Sequence, residues 1–187
     1  LNYIILDIET TGINTFKDEI ICIGLLDDRD IIMQYYTSNK NKNDHNGNNT
    51  THYSFRSSDE YNLLCDSLKM IKIINPKHLV GWKISKFDIP FIRSRLLKYD
   101  MVEYIKYINK LNIIDLSDFL KDFVVKSDHI RSDYLSELLG IDIIDDIHGS
   151  DVPYLYKIGI IDKILEHNRK DLLRTKIFYD KLEFLRR

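Results

Sequence analysis

The chain has 187 residues, with 27 Lys and Arg against 29 Asp and Glu and a formal net charge of −2; that length suits one domain with a full α/β core, and the balance speaks against a basic, non-specific nucleic-acid coat protein. Hydrophobic residues make up 44% and charged residues 30%, which excludes a disordered chain. No window approaches about 18 uninterrupted apolar residues, nothing reads as a signal peptide, and Cys22 and Cys65 are too few for a disulfide framework, so a cytoplasmic, intracellular protein without membrane attachment is expected.

Residues 2–8, NYIILDI, are a short isoleucine-rich run that predicts a buried strand, broken by Thr10, Thr11 and Gly12. Residues 18–26, DEIICIGLL, predict a second strand, in which Cys22 reads as a small buried hydrophobe. A turn over 27–30 leads to a third strand over 31–36, and the three read as an antiparallel meander. Residues 38–51, SNKNKNDHNGNNTT, are nearly all polar and predict an exposed loop, either a tolerated surface insertion or a functional flap. Tyr61, Leu64, Cys65, Leu68 and Ile71 recur at helical spacing and predict a helix over 58–74, with Ser57 and Ser58 offering caps and Glu60 in the first turn. A brief buried strand over 78–81, a helix over 87–99 with Pro90 near its start, and a strand over 111–116 follow. From Ser117 onward the pattern predicts helices broken near Lys126, Gly140 and Ser150; the last runs from about Ile158 to the end, with a break allowed near Glu166. This order suits one mixed sheet covered by helices on both faces, in a single α/β domain over residues 1–187.

Three segments carry candidate chemistry. Strand alternation points Asp7 and Glu9 to the same face. Two carboxylates side by side at the end of an apolar strand repel each other and call for a cation; hard oxygen ligands suit Mg²⁺ or Mn²⁺. Alone, the pair also fits solvated strand-end acids. Asp88 stands among apolar residues in GWKISKFDIPFI, where it fits either a ligand or a helix-start acid facing the dipole. His167 and Asp171, in EHNRKDLLRT, share one helix face and alone also fit a surface pair.

Taken together, DIETTG, the Phe87–Asp88–Ile89–Pro90–Phe91 core and the His167–Asp171 segment resemble, in order and spacing, the three motifs of the DEDD family of 3′→5′ exonucleases. The second motif is similar to that of family-B polymerase proofreading domains. The stretches IIDLSDFL and YLSELLGI (residues 113–120 and 134–141) look like connecting elements of such domains. The resemblance implies a ribonuclease H-like fold: a central mixed sheet of about five strands, three antiparallel and then two parallel, with helices on both faces. It also implies two metal ions and hydrolysis of the terminal phosphodiester at the 3′ end of single-stranded DNA or RNA, releasing nucleoside monophosphates. On this resemblance Asp7 bridges both ions, Glu9 and Asp171 hold the ion that binds the attacking water, and Asp88 orders the second ion through waters.

Two positions depart from the family pattern. The family carries Tyr four residues, or His five residues, before the last Asp; here the fourth is His167 and the fifth is Glu166. His167 is expected to orient or deprotonate the water, a role suited to histidine near neutral pH. Lys83 replaces an Asn common in related domains and either meets a substrate phosphate or pairs with a carboxylate. The resemblance places Thr10, Thr11 and Gly12 at the terminal sugar and base. Phe87 either stacks on a base or belongs to the core. Lys86, Arg93, Arg95, Lys98, Arg169, Lys170 and Arg174 are cations near the motifs that could track a phosphate backbone. Tyr35, Tyr36 and His52 lie far from every motif. The competing readings are a proofreading domain trimmed from a polymerase, an endonuclease on the same fold, and a catalytically weak nucleic-acid-binding or interaction domain that keeps the fold. No protein partner is legible.

Overall fold

A computed structural model of the protein describes residues 2–39, 51–119, 136–137 and 139–186. Its core is a six-stranded sheet, in spatial order β4 (His52–Arg56), β3 (Ile32–Tyr36), β2 (Ile20–Asp27), β1 (Tyr3–Thr10), β5 (His78–Gly81) and β6 (Asn112–Asp115). β1, β2 and β3 run antiparallel as the meander predicts. β5 lies parallel to β1, and β6 parallel to β5. The sixth strand, β4, pairs in parallel with β3 at the edge and falls outside the expected five. Its sequence, HYSFR, is short, half-exposed and adjoins the polar run, so it carries no buried-strand pattern. Its apolar anchor is the stack of Phe55 on Tyr35, with ring centroids 5.1 Å apart. The predicted polar loop falls mostly on residues outside those described.

Both faces of the sheet are covered. Ile4, Leu6 and Ile8 of β1 point to one face. There they pack with Leu63, Leu64 and Leu68 of α1 (Glu60–Ile74) and with Ile89, Phe91 and Ile92 of α2 (Asp88–Lys98). Met101 and Ile108 of the α2–α3 segment, where α3 is Val102–Ile108, close the same layer. Tyr3 and Ile5 point to the other face and pack with Leu172, Phe178 and Leu182 of the long helix near the C-terminus. Alternation therefore carries Asp7 and Glu9 to that second face, beneath the long helix.

The helix caps differ from expectation. Asp59, not Ser57 or Ser58, caps α1 by accepting from Asn62 N at 2.8 Å, because it is the extended residue directly before the first turn. Beyond α4 (Leu116–Phe119), the expected break near Lys126 lies outside the described residues, as do parts of both connecting elements. Gly140 adopts φ 63° and marks a break, but residues 141–148 are irregular rather than helical. They run into a short 3₁₀ turn (Gly149–Asp151), α5 (Val152–Ile158) and α6 (Ile161–Arg186). Gly159, at φ 75°, terminates α5 in the left-handed conformation that glycine adopts without strain. α6 is continuous through Glu166, whose carboxylate pairs with Arg169 one turn on at 2.7 Å. Among the described residues no helix is long and apolar enough to cross a membrane.

Candidate active site

The three motif segments meet at one cleft of ≈ 880 Å³ lined by Asp7, Glu9, Asp88, His167 and Asp171. β1 supplies Asp7 and Glu9 on its α6-facing side. The start of α2 supplies Asp88, whose Oδ1 accepts from the backbone N–H of Ile8 at 3.1 Å; this bond ties the second segment to the strand that carries the first. α6 supplies His167, Asp171 and Arg174 at spacings of four and three, one stripe facing the cleft. The adjoining stripe, Asn168 and Leu172, is fully buried against the sheet.

Crowding of carboxylates dominates the electrostatics. Burial first, then the charges of Glu9, Asp171 and Asp88, push the Asp7 carboxyl well above its ordinary range, partly offset by a hydrogen bond from Asn168. Glu9 is driven up in the same way by burial and by Asp171, Asp88 and Asp145. Asp88 rises to about 8: burial and the charges of Asp115 and Asp171 outweigh the backbone N–H groups that favour its ionised form. Such a set is costly without positive charge. Oxygen donors in this density fit one or more divalent cations. The donor atoms of Glu9, His167 and Asp171 lie within 4.8 Å of one another, and among the described residues Glu9 has no hydrogen-bond partner for its buried carboxylate.

His167 is 7% exposed. Its Nδ1 meets Asp145 Oδ2 at 2.6 Å, while its Nε2 faces Glu9 Oε1 at 3.9 Å and Asp171 Oδ2 at 3.7 Å. Burial works against the Asp145 charge, but the hydrogen bond and charge of His167, the N–H of Ile147 and Lys170 outweigh it and hold that carboxyl below its usual range. Arg174 NH1 donates to Asp171 Oδ1 at 2.5 Å and its NH2 to the carbonyl of Ile143 at 3.2 Å. Asp145, Asn168 and Arg174's grip on Asp171 were not legible as site features. The only signal for Asp145 is the acidic cluster at 142–146, which does not say which acid turns inward.

The candidate substrate contacts divide. Thr10, Gly12, Lys83 and Phe87 line the cleft; Thr11 does not. The Thr11 hydroxyl accepts from Glu19 N at 2.9 Å and braces the turn after β1. A Cβ on Gly12 would overlap the Asp18 carboxylate, which itself accepts from Asn14 N at 2.7 Å. Lys83 sits in the left-handed region at φ 55°, and among the described residues no carboxylate pairs with it. Phe87 packs against Phe91, with centroids 5.6 Å apart, and also reaches the cleft. Ile13, missed in the sequence, lines the cleft while 86% exposed. Of the surrounding cations, Arg95 is withdrawn from any substrate path: it is fully buried and bonded to Glu60 at 2.6 and 2.8 Å. Lys86 pairs with Asp118, Arg169 with Glu166 and Lys170 with Asp145.

The chain matches the family model of the RNase_H superfamily over residues 4–183. It is 28% identical over 186 residues to an uncharacterized protein of Methanocaldococcus jannaschii, covering 94% of this chain and 92% of that protein. It is also 25% identical over 141 residues to a DNA polymerase of Archaeoglobus fulgidus, a match that takes in 66% of this chain but 18% of the polymerase. A mixed sheet sheathed by helices, an acidic cleft at the end of its first strand, and a family match over nearly the whole length together place the chain in the RNase_H superfamily.

Proposed function

We propose that the chain is a metal-dependent 3′→5′ exonuclease of the DEDD type, acting on single-stranded DNA or RNA and releasing nucleoside monophosphates. The observation that carries this reading is the convergence of Asp7, Glu9, Asp88 and Asp171, from three distant segments, on one cleft beside His167. Membership of a nuclease superfamily and the partial similarity to a DNA polymerase support it.

Two divalent cations, Mg²⁺ or Mn²⁺, would neutralise the charge of the scissile phosphate and make the attacking water acidic when bound. Asp7, Glu9 and Asp171 would hold the cation that activates the water, and Asp7 and Asp88 would hold the other. Hydrogen bonding of Nδ1 to Asp145 leaves His167 Nε2 turned toward Glu9 and Asp171, where it takes the proton of the water. Lys83, with which no carboxylate pairs among the described residues, offers its charge for the terminal phosphate. Ile13, Phe87 and Trp82 supply apolar surface for the terminal base and sugar, and Thr10 and Gly12 the close backbone approach.

Digestion of a 5′-labelled single-stranded oligonucleotide with Mg²⁺, Mn²⁺ or EDTA tests the reading. A metal-dependent ladder shortening from the 3′ end is expected. A bandshift without cleavage under either metal would replace it with a binding module, and cutting of a circular single strand with an endonuclease.

A further inference from the structure

A row of polar side chains runs from half-buried His52 at the sheet edge to Asp7. His52 Nε2 lies 2.8 Å from Gln34 Oε1; Gln34 Nε2 donates to Asn168 Oδ1 at 2.7 Å; Asn168 Nδ2 donates to Asp7 Oδ2 at 2.8 Å. Gln34 and Asn168 are both fully buried.

The direction of this row is forced. Gln34 Nε2 also donates to the carbonyl of Leu165 at 2.8 Å, and a carbonyl can only accept. The Gln34 amide is therefore held with its oxygen toward His52, so His52 must donate. The same fixed nitrogen requires Asn168 to present its oxygen, which leaves the Asn168 nitrogen for Asp7. A flip of Asn168 would set oxygen against the Asp7 carboxylate and nitrogen against nitrogen, leaving buried groups unsatisfied at both ends.

The sheet makes room for it. Asp7 pairs in register with Gly24, and Gly24 with Gln34. A Cβ on Gly24 would overlap the Asn168 side-chain oxygen and press on Leu172. The glycine vacates the one site between Asp7 and Gln34, and the α6 side chain fills it.

Resting on the exonuclease reading, we propose that Gln34 and Asn168 are positioning residues: a one-directional hydrogen-bond chain entering from β4 fixes the Asp7 carboxylate with one oxygen engaged and the other left for cations. Neither residue lines the cleft, so both act through Asp7 alone.

Calorimetric titration with Mn²⁺, on proteins shown to be folded by circular dichroism, tests this. Asn168→Ala is expected to weaken Mn²⁺ binding about 10- to 100-fold, the range for loss of a partner behind a ligand. Gln34→Leu, one bond further out, should weaken it in the same direction, and the double variant should be no worse than Asn168→Ala alone. If Asn168→Ala does not fold, Gln34→Leu against the unaltered protein carries the comparison. Unchanged affinity in a folded Asn168→Ala or Gln34→Leu variant, or losses that multiply in the double variant, would overturn the chain while leaving the nuclease reading in place. Absence of Mn²⁺ binding by the unaltered protein would instead take down the metal-dependent reading and the chain with it.

Discussion

Asp145 holds Nδ1 of His167 at 2.6 Å, and this bond decides which ring nitrogen faces the cleft. With Nδ1 donating, Nε2 keeps a lone pair toward Glu9 and Asp171. His167→Ala is expected to lower kcat by about 10²–10⁴ with little change in KM, the usual span for loss of a general base. Asp145→Ala should also lower kcat, by less, and should add nothing in the His167→Ala background, because it acts through the ring. Single-turnover rates on a labelled oligonucleotide check both. Additive losses would make Asp145 a support of the fold rather than of the histidine.

Lys83 combines strain with a charge that no carboxylate among the described residues pairs with. A non-glycine residue in the left-handed region costs about 1–2 kcal/mol, and such strain gathers at functional positions. Lys83→Gly relieves it but loosens the unfolded chain, so the variant should match the parent's stability within about 1 kcal/mol. Its KM for an oligonucleotide should rise, and the slope of log KM against log salt should fall by about one unit, the signature of a lost phosphate contact. An unchanged slope would remove Lys83 from the phosphate path.

Glu60 illustrates how a residue can look like an ordinary first-turn acid and yet be structural. Its Oε1 accepts from Ile20 N at 2.7 Å and Arg95 Nε at 2.8 Å; its Oε2 accepts from Arg95 NH2 at 2.6 Å and Tyr99 OH at 2.8 Å. Both charged side chains are nearly inaccessible. Glu60→Ala strands a buried guanidinium and should destabilise the protein by about 3–5 kcal/mol in urea unfolding. Replacing Glu60 and Arg95 together by apolar residues should cost less than either alone. A loss under about 1 kcal/mol for Glu60→Ala would mean that water reaches Arg95 in solution.

The sequence was most informative where periodicity and chemistry coincided. The alternation of β1 placed Asp7 and Glu9 on one face, and the i, i+4 spacing in α6 set His167 beside Asp171. β4 stayed hidden because an edge strand needs no continuous apolar pattern, and its five residues follow a polar run. The irregular 141–148 stretch spaces Ile141, Ile144 and Ile147 three apart, as a helix face would, yet its backbone turns Asp145 onto a histidine 22 residues further on, a contact no local pattern encodes. Asn168 was concealed for a related reason: between His167 and Arg169 it reads as a solvated helical residue, and only Gly24 on β2, packed beneath it, reveals where it points.

The raised carboxyls make stability depend on pH in a direction opposite to that of ordinary salt-bridged acids. Asp88 is pushed up to about 8, and Asp7 and Glu9 are also raised, each with burial as the first cause. In the unfolded chain these groups ionise near pH 4. Below that, both states hold the protons and the fold bears no penalty. As pH climbs through the folded values, the unfolded state gains by ionising earlier, and the metal-free protein loses stability. A cation that binds only the ionised, folded site reverses the trend. In EDTA, Tm should therefore fall between about pH 5 and 8, and Mn²⁺ should raise Tm more at pH 8 than at pH 5. Asp7→Asn removes one of the crowded charges, so it should raise the metal-free Tm at pH 8 and shrink the Mn²⁺ shift at the same pH. A Mn²⁺ shift of equal size at both pH values, or one untouched by Asp7→Asn, would separate cation binding from these carboxylates.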